Sequence, residues 1–401
     1  MILFTAWYTY SGENLMRADV YKYYHDANVL HQLLPGKSNV WLGILSGCNT
    51  ESEEAFNILN QTEFYFHGDN HWTNDDRLMI RINQIIRLFS LGNLYIHSLI
   101  FLLFGIYCGL YFCRRWQRIS GIPNWLLYLL ILGLPSVIFW CGGALKETLL
   151  LSSLFLLFGS ILPHPENGKR NGGVFLSAVI LLFMIRPVLI AVWIPAMGFA
   201  GWMHMKTGFK VIVAGTTILL IAVIMINLPE ISGLIINKRN ELVHQAIIGQ
   251  SGSLTDESVR NPDNISLLKL LPESVMLGLG TPLYPGVRGG VTGLLFGLEI
   301  LLLFSICICL SPRKMVDINI RSIAWIWISG SLLYIVIVGL TTPVAGAVIR
   351  YRSLILPWLA IGIAELFILN IYIYDIILSF RSEYKPLKGF FYTKPQNKPL
   401  N

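Results

Sequence analysis

The chain has 401 residues, 54% hydrophobic and only 13% charged, with a mean hydropathy of +0.59. A soluble protein of this size carries about 25% charged residues, so an ordinary soluble enzyme is excluded. Unbroken Leu/Ile runs near the ~20 residues that a helix needs to cross a bilayer argue against an alternating β-barrel. The expected fold class is therefore an all-α polytopic membrane protein, with about nine transmembrane helices and a polar N-terminal extracytoplasmic region. The net charge of +7 does not point to nucleic acid, because the basic residues cluster beside apolar runs, where they report topology.

Residues 1–90 form the one long polar segment, mixed in charge and rich in aromatics, which reads as folded rather than as a linker. The opening "MILFTAW" is too short for a span and is expected to be the tail of a first helix. In "RADVYKYYHDA", Asp19 and Asp26 stand seven apart and share a face if the segment is helical. Carboxylates among Tyr21, Tyr23, Tyr24 and His25 suit sugar recognition and general-base work on a hydroxyl. An ordinary solvated amphipathic helix explains the same pattern. "NDDRLMIRINQIIRLFSLGN" resembles an interfacial amphipathic helix, with Arg77, Arg81 and Arg87 against Leu78, Ile82, Ile85 and Ile86.

From residue 91 to 380 a helical bundle is expected, with spans near 93–113, 122–140 and 147–162, then 211–228, 290–310, 322–340 and 353–380. The apolar region 173–203 is too long for one ordinary span. Pro187 opens helices well and pushes Arg186 out of the α region, so the region is expected to divide into 173–185 and 187–203, with one long tilted helix as the alternative. With that division and the N-terminus outside, Arg114, Arg115 and Arg118, then Lys169 and Arg170, Lys206 and Lys210, and Arg313, Lys314 and Arg321 all fall inside. The basic tail 381–401 follows them as a cytoplasmic C-terminus. Lys146, Glu147, Arg186, Arg350 and Arg352 then gather at the outer face, together with a loop 229–289.

Three short stretches carry the chemistry. In "GGALKET" two glycines allow close backbone approach, Lys146 can reach head groups, and Glu147 complements a helix N-terminus. "MIRPVL" sets Arg186 at a span junction. "TTPVAGAVIRYRSLILP" puts Arg350 and Arg352 on either side of Tyr351, at an outer face where a merely topological charge is not expected. Arginine forks bind phosphate bidentately. Glu299 is a lone acid inside a span and is expected to pair with an arginine. The six cysteines mostly lie within or beside spans and read as small buried hydrophobes. No GxxxxGK[ST], HExxH, paired-cysteine or GxSxG pattern occurs, so no metal ligands are assigned; a divalent metal is compatible with the chemistry but not indicated.

The order "PSVIFWCGGALKETLLL", then "IRP", then "GAVIRYRSLILPWL" resembles bacterial envelope-polysaccharide membrane proteins, the O-antigen polymerase-like proteins and GT-C-type membrane glycosyltransferases. The resemblance implies an outer-face cavity for a polyprenyl-(pyro)phosphate sugar and an acidic residue supplied by a first extracytoplasmic loop. The chain departs from the pattern in lacking a full first span before the acidic loop. Neither Asp19 nor Asp26 forms a DxD pair.

Residue chemistry and resemblance together give the expected function, a membrane glycosyltransferase or polysaccharide polymerase in the bacterial cytoplasmic (inner) membrane. Its partners would be the lipid bilayer, a lipid-linked saccharide donor and a saccharide acceptor. Lys146, Arg186, Arg350, Tyr351 and Arg352 would bind the substrate phosphate, with Asp26, Asp19 or Glu147 as catalytic base. A transporter or flippase of anionic lipid-linked saccharides would use the same cations without a base. A non-catalytic envelope assembly partner is the third reading.

Overall fold

A computed structural model describes residues 18–48, 52–65, 74–120, 122–162, 170–193, 228–248, 254–255, 267–283, 290–308, 310–312 and 318–369. The opening residues 1–17, the basic loop residues Lys169, Lys206, Lys210, Arg313 and Lys314, all but the last residue of the expected span 211–228, residues 194–203 of the expected span 187–203, residues 370–380 and the basic tail 381–401 lie outside these. Among the described residues the regular structure is helical, apart from a two-stranded ribbon in which β1 (Leu310–Pro312) pairs antiparallel with β2 (Phe367–Leu369), and an isolated bridge between Leu254 and Val344.

The polar N-terminal region folds into a helical cap of α1 (Asp19–His31), α2 (Ser38–Ser46), α3 (Glu53–Leu59) and α4 (Asp75–Ser90). Local chemistry starts two of these helices. Ser52 Oγ accepts from Ala55 N, and Asn74 Oδ1 accepts from Asp76 N and Arg77 N, each satisfying donors that a helix N-terminus leaves open. The apolar faces of α1 and α4 then bury Val20, Leu30, Met79 and Ile80 against one another. Helix α4 forms where the amphipathic pattern predicts it, but its arginines turn into the cap. Arg77 Nε donates to Tyr65 O at 3.0 Å and Arg87 Nε to Asn28 Oδ1 at 2.5 Å.

The bundle begins with α5 (Leu94–Trp116), whose N-cap Asn93 accepts from Tyr95 N. Next come α6 (Asn124–Leu132), α7 (Pro135–Trp140), α8 (Lys146–Ile161) and α9 (Gly172–Ile185). The apolar run 122–140 is thus two short helices, because Gly133 ends α6 and Pro135 opens α7 at its first position. A second break falls where the Arg186–Pro187 pair predicts it: Arg186 is extended at φ −154°, ψ 85°, and 187–193 continue as a new helix. The stretch read as a loop contains α10 (Leu228–Ile248) and α11 (Leu267–Gly280), and α11 packs against α13 (Ile318–Thr341). Gly339 permits that contact, since a Cβ there would collide with the backbone oxygen of Ser274. Helices α12 (Gly290–Ile308), α14 (Ala345–Arg352) and α15 (Leu356–Leu366) complete the described architecture; α14 and α15 meet at 52° across residues 353–355.

Helix α8 runs through the middle of the first half between α5 and α9, buried over almost its whole length. The two halves join through an aromatic core. Phe112 packs edge-on to Trp327 and Trp358, and Phe158 packs on the same two rings, at centroid separations of 4.6–6.0 Å. Such pairs favour offset or edge geometry because ring edges are positive and faces negative.

Among the described residues, Leu94–Trp116 and Ile320–Thr341 are long and apolar enough to cross a membrane. The bent pair Ala345–Arg352 and Leu356–Leu366 makes a third if counted as one span. At ~1.5 Å per residue, 23 residues of α5 extend roughly 34 Å, against a hydrocarbon core of ~30 Å. The described helices are consistent with a membrane protein.

Candidate functional site

Five helices and the break after α9 bring most of the expected residues into one polar network inside the apolar bundle. Lys146, at the head of α8, lies 2.7 Å from both Asp75 Oδ2 and Asp76 Oδ1 in the first turn of α4. The Tyr23 hydroxyl donates to Asp76 Oδ1 at 2.6 Å. Next along α8, Glu147 Oε1 is 2.7 Å from Arg350 Nε, and Arg350 Nη1 donates to Asp19 Oδ2 at 2.7 Å. Arg186 Nη1 donates to the Tyr334 hydroxyl at 3.1 Å, and its guanidinium lies 4.0 Å from the centre of the Tyr351 ring. Four carboxylates (Asp19, Asp75, Asp76, Glu147) therefore face three cations (Lys146, Arg186, Arg350).

The helices dictate which groups meet. In α14 successive side chains turn by about 100°, so Arg350 and Arg352 diverge by about 200°. Arg350 enters the network. Arg352 faces the other way, and its Nη1 donates to the carbonyls of Gly278 and Leu279 at 3.2 and 2.8 Å. Those are last-turn oxygens of α11, which the helix itself leaves without donors. Glu299 accepts from Ser136 N and Oγ at 3.3 and 3.0 Å, and its charge acts on Arg352. No ion pair joins Glu299 to an arginine among the described residues: its contacts are to Ser136, and Arg352 acts on it only through its field.

Burial separates the three carboxylates expected to act as base. Asp26 is fully buried and accepts from the backbone N–H groups of Glu63, Phe64 and Tyr65 at 2.8, 2.8 and 3.2 Å. It ties the 63–65 turn to α1, two helical turns from Asp19, and is a clamp within the cap rather than a member of the network. Glu147 is in the network but sealed, with 1% of its side chain exposed. Asp19 is half-buried and keeps access to the surroundings. Burial alone would raise its pKa, but Arg350 first, and Lys146 and Lys22 behind it, hold the carboxyl below its usual value. Burial, reinforced by Asp19 and Asp76, pushes the Tyr23 phenol well above its ordinary value and keeps it a donor.

The network is recessed. A Cβ at Gly105 of α5 would stand 3.5 Å from Thr148 Cγ2 and 3.6 Å from Ser152 Oγ, and one at Gly109 3.6 Å from Phe155. These contacts set the register of two nearly parallel helices. They place Lys146 level with a point six or more residues into α5, about 10 Å below Leu94 along the axis. Beside the network a groove of about 540 Å³ runs between α5, α7 and α8, lined by Tyr95, Leu99, Ile138, Gly142, Thr148 and Leu151 among others. Its lining is overwhelmingly apolar, and Gly142 and Thr148 belong to the same "GGALKET" stretch as Lys146.

Asp75, Asp76 and Tyr334 were not singled out in the sequence, and Tyr23 was named only as an aromatic neighbour of Asp19 and Asp26. The acidic pair had a local signal: an asparagine followed by two aspartates heads an amphipathic helix in a chain with only 23 acidic residues. Tyr334 had none, being one aromatic within an apolar run. Among the described residues no three His, Cys, Asp or Glu side chains are arranged to hold a metal ion; the clustered aspartates are turned onto Lys146 and Arg350 instead. No protein-family model, curated protein or solved structure matches the chain.

Proposed function

We propose that the chain is a multi-pass membrane glycosyltransferase or polysaccharide polymerase whose donor is a polyprenyl-(pyro)phosphate-linked sugar. In this reading the network faces outward, about nine spans cross a bacterial cytoplasmic membrane, and the C-terminus is cytoplasmic. One observation carries it: a recessed set of cations and carboxylates adjoins an apolar groove, and Arg186 is the cation whose described partners are phenols rather than carboxylates. A lipid-linked phosphate needs both halves, fixed positive charge for the head and an apolar channel for the tail.

The proposed roles follow from access and pairing. Arg186, stacked on Tyr351 and steadied by Tyr334, receives the phosphate; Lys146 and Arg350 add positive potential while holding the acids in place. Asp19, the accessible one of the three candidate bases, takes the proton of an acceptor hydroxyl. The hydroxyl oxygen bonds to the anomeric carbon, the bond from that carbon to the phosphate oxygen breaks, and the electron pair leaves with the polyprenyl (pyro)phosphate. Glu147, sealed behind Arg350, positions the guanidinium. Asp26 and Arg352 are assigned to the fold.

Replacing the base tests this reading against a transporter with the same cations. Asp19→Asn keeps the shape and leaves Arg350 paired with Glu147. Loss of a general base costs typically 10²–10⁴-fold, so glycan product should fall at least ~100-fold with the protein still in the membrane. Product at wild-type levels from Asp19→Asn would remove the base and favour transport of the lipid-linked saccharide.

A further inference from the structure

Helix α4 turns its arginines inward, and although Met79, Ile80 and Ile86 are buried, its C-terminal turns show large apolar side chains outward. Ile85, Leu88, Phe89 and Leu91 are all exposed, Phe89 at 74% and Leu91 at 87%. Leu91 also adopts the left-handed conformation, φ 51°, which is costly for a residue with a branched side chain. Gly92, φ 74°, continues the turn, and Asn93 then caps α5. A strained turn that displays a leucine is unfavourable in water, where the same backbone would carry glycine or asparagine at less cost.

Both ends of α4 are fixed in depth. Its first turn is pinned to Lys146, about 10 Å below the end of α5, and its last residue is followed within four residues by Leu94 at that end. The exposed side chains of α4 therefore lie between those two levels, beside the outer end of a helix long enough to cross the hydrocarbon core. They continue into the outward face of α5, where Tyr95, Leu99 and Leu103 are exposed in turn. The charges on α4 do not interrupt this face: Arg77 and Arg81 are held at Tyr65 and Arg87 at Asn28.

We propose that the C-terminal half of α4 and the 91–92 turn are sunk in the outer lipid leaflet, so that the cap is keyed into the bilayer rather than standing above it. The occupant of this face is the acyl-chain region of the membrane. The inference rests on the membrane reading of the bundle and is independent of the transfer reaction. It also accounts for the exposure of Leu91, since the side chain is then solvated by lipid.

A nitroxide on the full-length chain in lipid nanodiscs tests it, in a background without other reactive cysteines. The label is attached through Phe89→Cys or, for comparison, through Asn39→Cys at an exposed position of α2 in the cap. The label at 89 should collide several-fold more often with oxygen than with a water-soluble nickel chelate, and the label at 39 should show the opposite order. A label at 89 that follows the nickel order of position 39 would place the face in water. One shielded from both reagents would place it against protein, a second copy included. Either outcome overturns the proposal and leaves the Asp19→Asn test of the reaction untouched.

Discussion

Arg350→Ala should be among the most damaging single substitutions in the chain, destabilising the cap-on-bundle arrangement by about 3–5 kcal/mol. The guanidinium joins Asp19 of the cap to Glu147 of the central helix, and only 18% of its side chain is exposed. Its removal leaves Glu147 as a sealed carboxylate without a cation in contact, which is the costly half of breaking a buried pair. Thermal unfolding of the detergent-solubilised protein should shift down accordingly, and proteases should cut between cap and bundle. Arg350→Ala combined with Glu147→Gln should recover part of the loss, because the orphaned charge is gone. A midpoint equal to wild type in the single variant would show that the pair contributes nothing.

The second large effect belongs to Lys146→Ala. Asp75 and Asp76 stand next to each other, and Lys146 is the cation within 2.7 Å of both. Without it, two like charges share one helix turn against an apolar bundle. Because both carboxylates are about one-third exposed, water screens part of the penalty, and the expected cost is on the order of 1–3 kcal/mol. The functional loss should be larger than the stability loss, since the first turn of α4 would no longer be tied to the head of α8 beside Glu147. Hydrogen exchange reads the two separately: faster exchange confined to α4 and the 63–65 turn is expected, with α8 protected. Uniform loss of protection across the bundle would mean that Lys146 holds the whole fold rather than the cap.

What was legible in the sequence was local. Apolar runs marked the helices, and the Arg186–Pro187 pair marked a break that the backbone makes at that residue, because the ring of proline restricts its predecessor regardless of tertiary context. Lys146 and Glu147 at the head of α8 followed from two glycines ahead of an unbroken apolar run. The fates of Asp26 and Arg352 were not legible. Asp26 is claimed by backbone donors 37–39 residues away, and Arg352 by carbonyls more than 70 residues away. No spacing rule connects such partners. Helix α11 escaped for a different reason: "LLKLLPESVMLGLG" carries a proline inside the helix and charges that read as loop, yet one face is apolar enough to pack on α13. The acid pair of α4 was visible as residues but not as partners of Lys146, because that contact depends on how the cap sits on the bundle.

In the proposed function, Arg186 and the recessed network hold a polyprenyl-phosphate-linked sugar for transfer. The most direct test of that role is mass spectrometry of lipid-linked saccharides from cells lacking the chain, complemented with wild type or with Arg186→Ala at matched membrane abundance. Polyprenyl-linked saccharide should accumulate without the chain, fall to basal level with wild type, and stay accumulated with Arg186→Ala. Lipid-linked saccharide unchanged by loss of the chain, or restored equally by both versions, would contradict it.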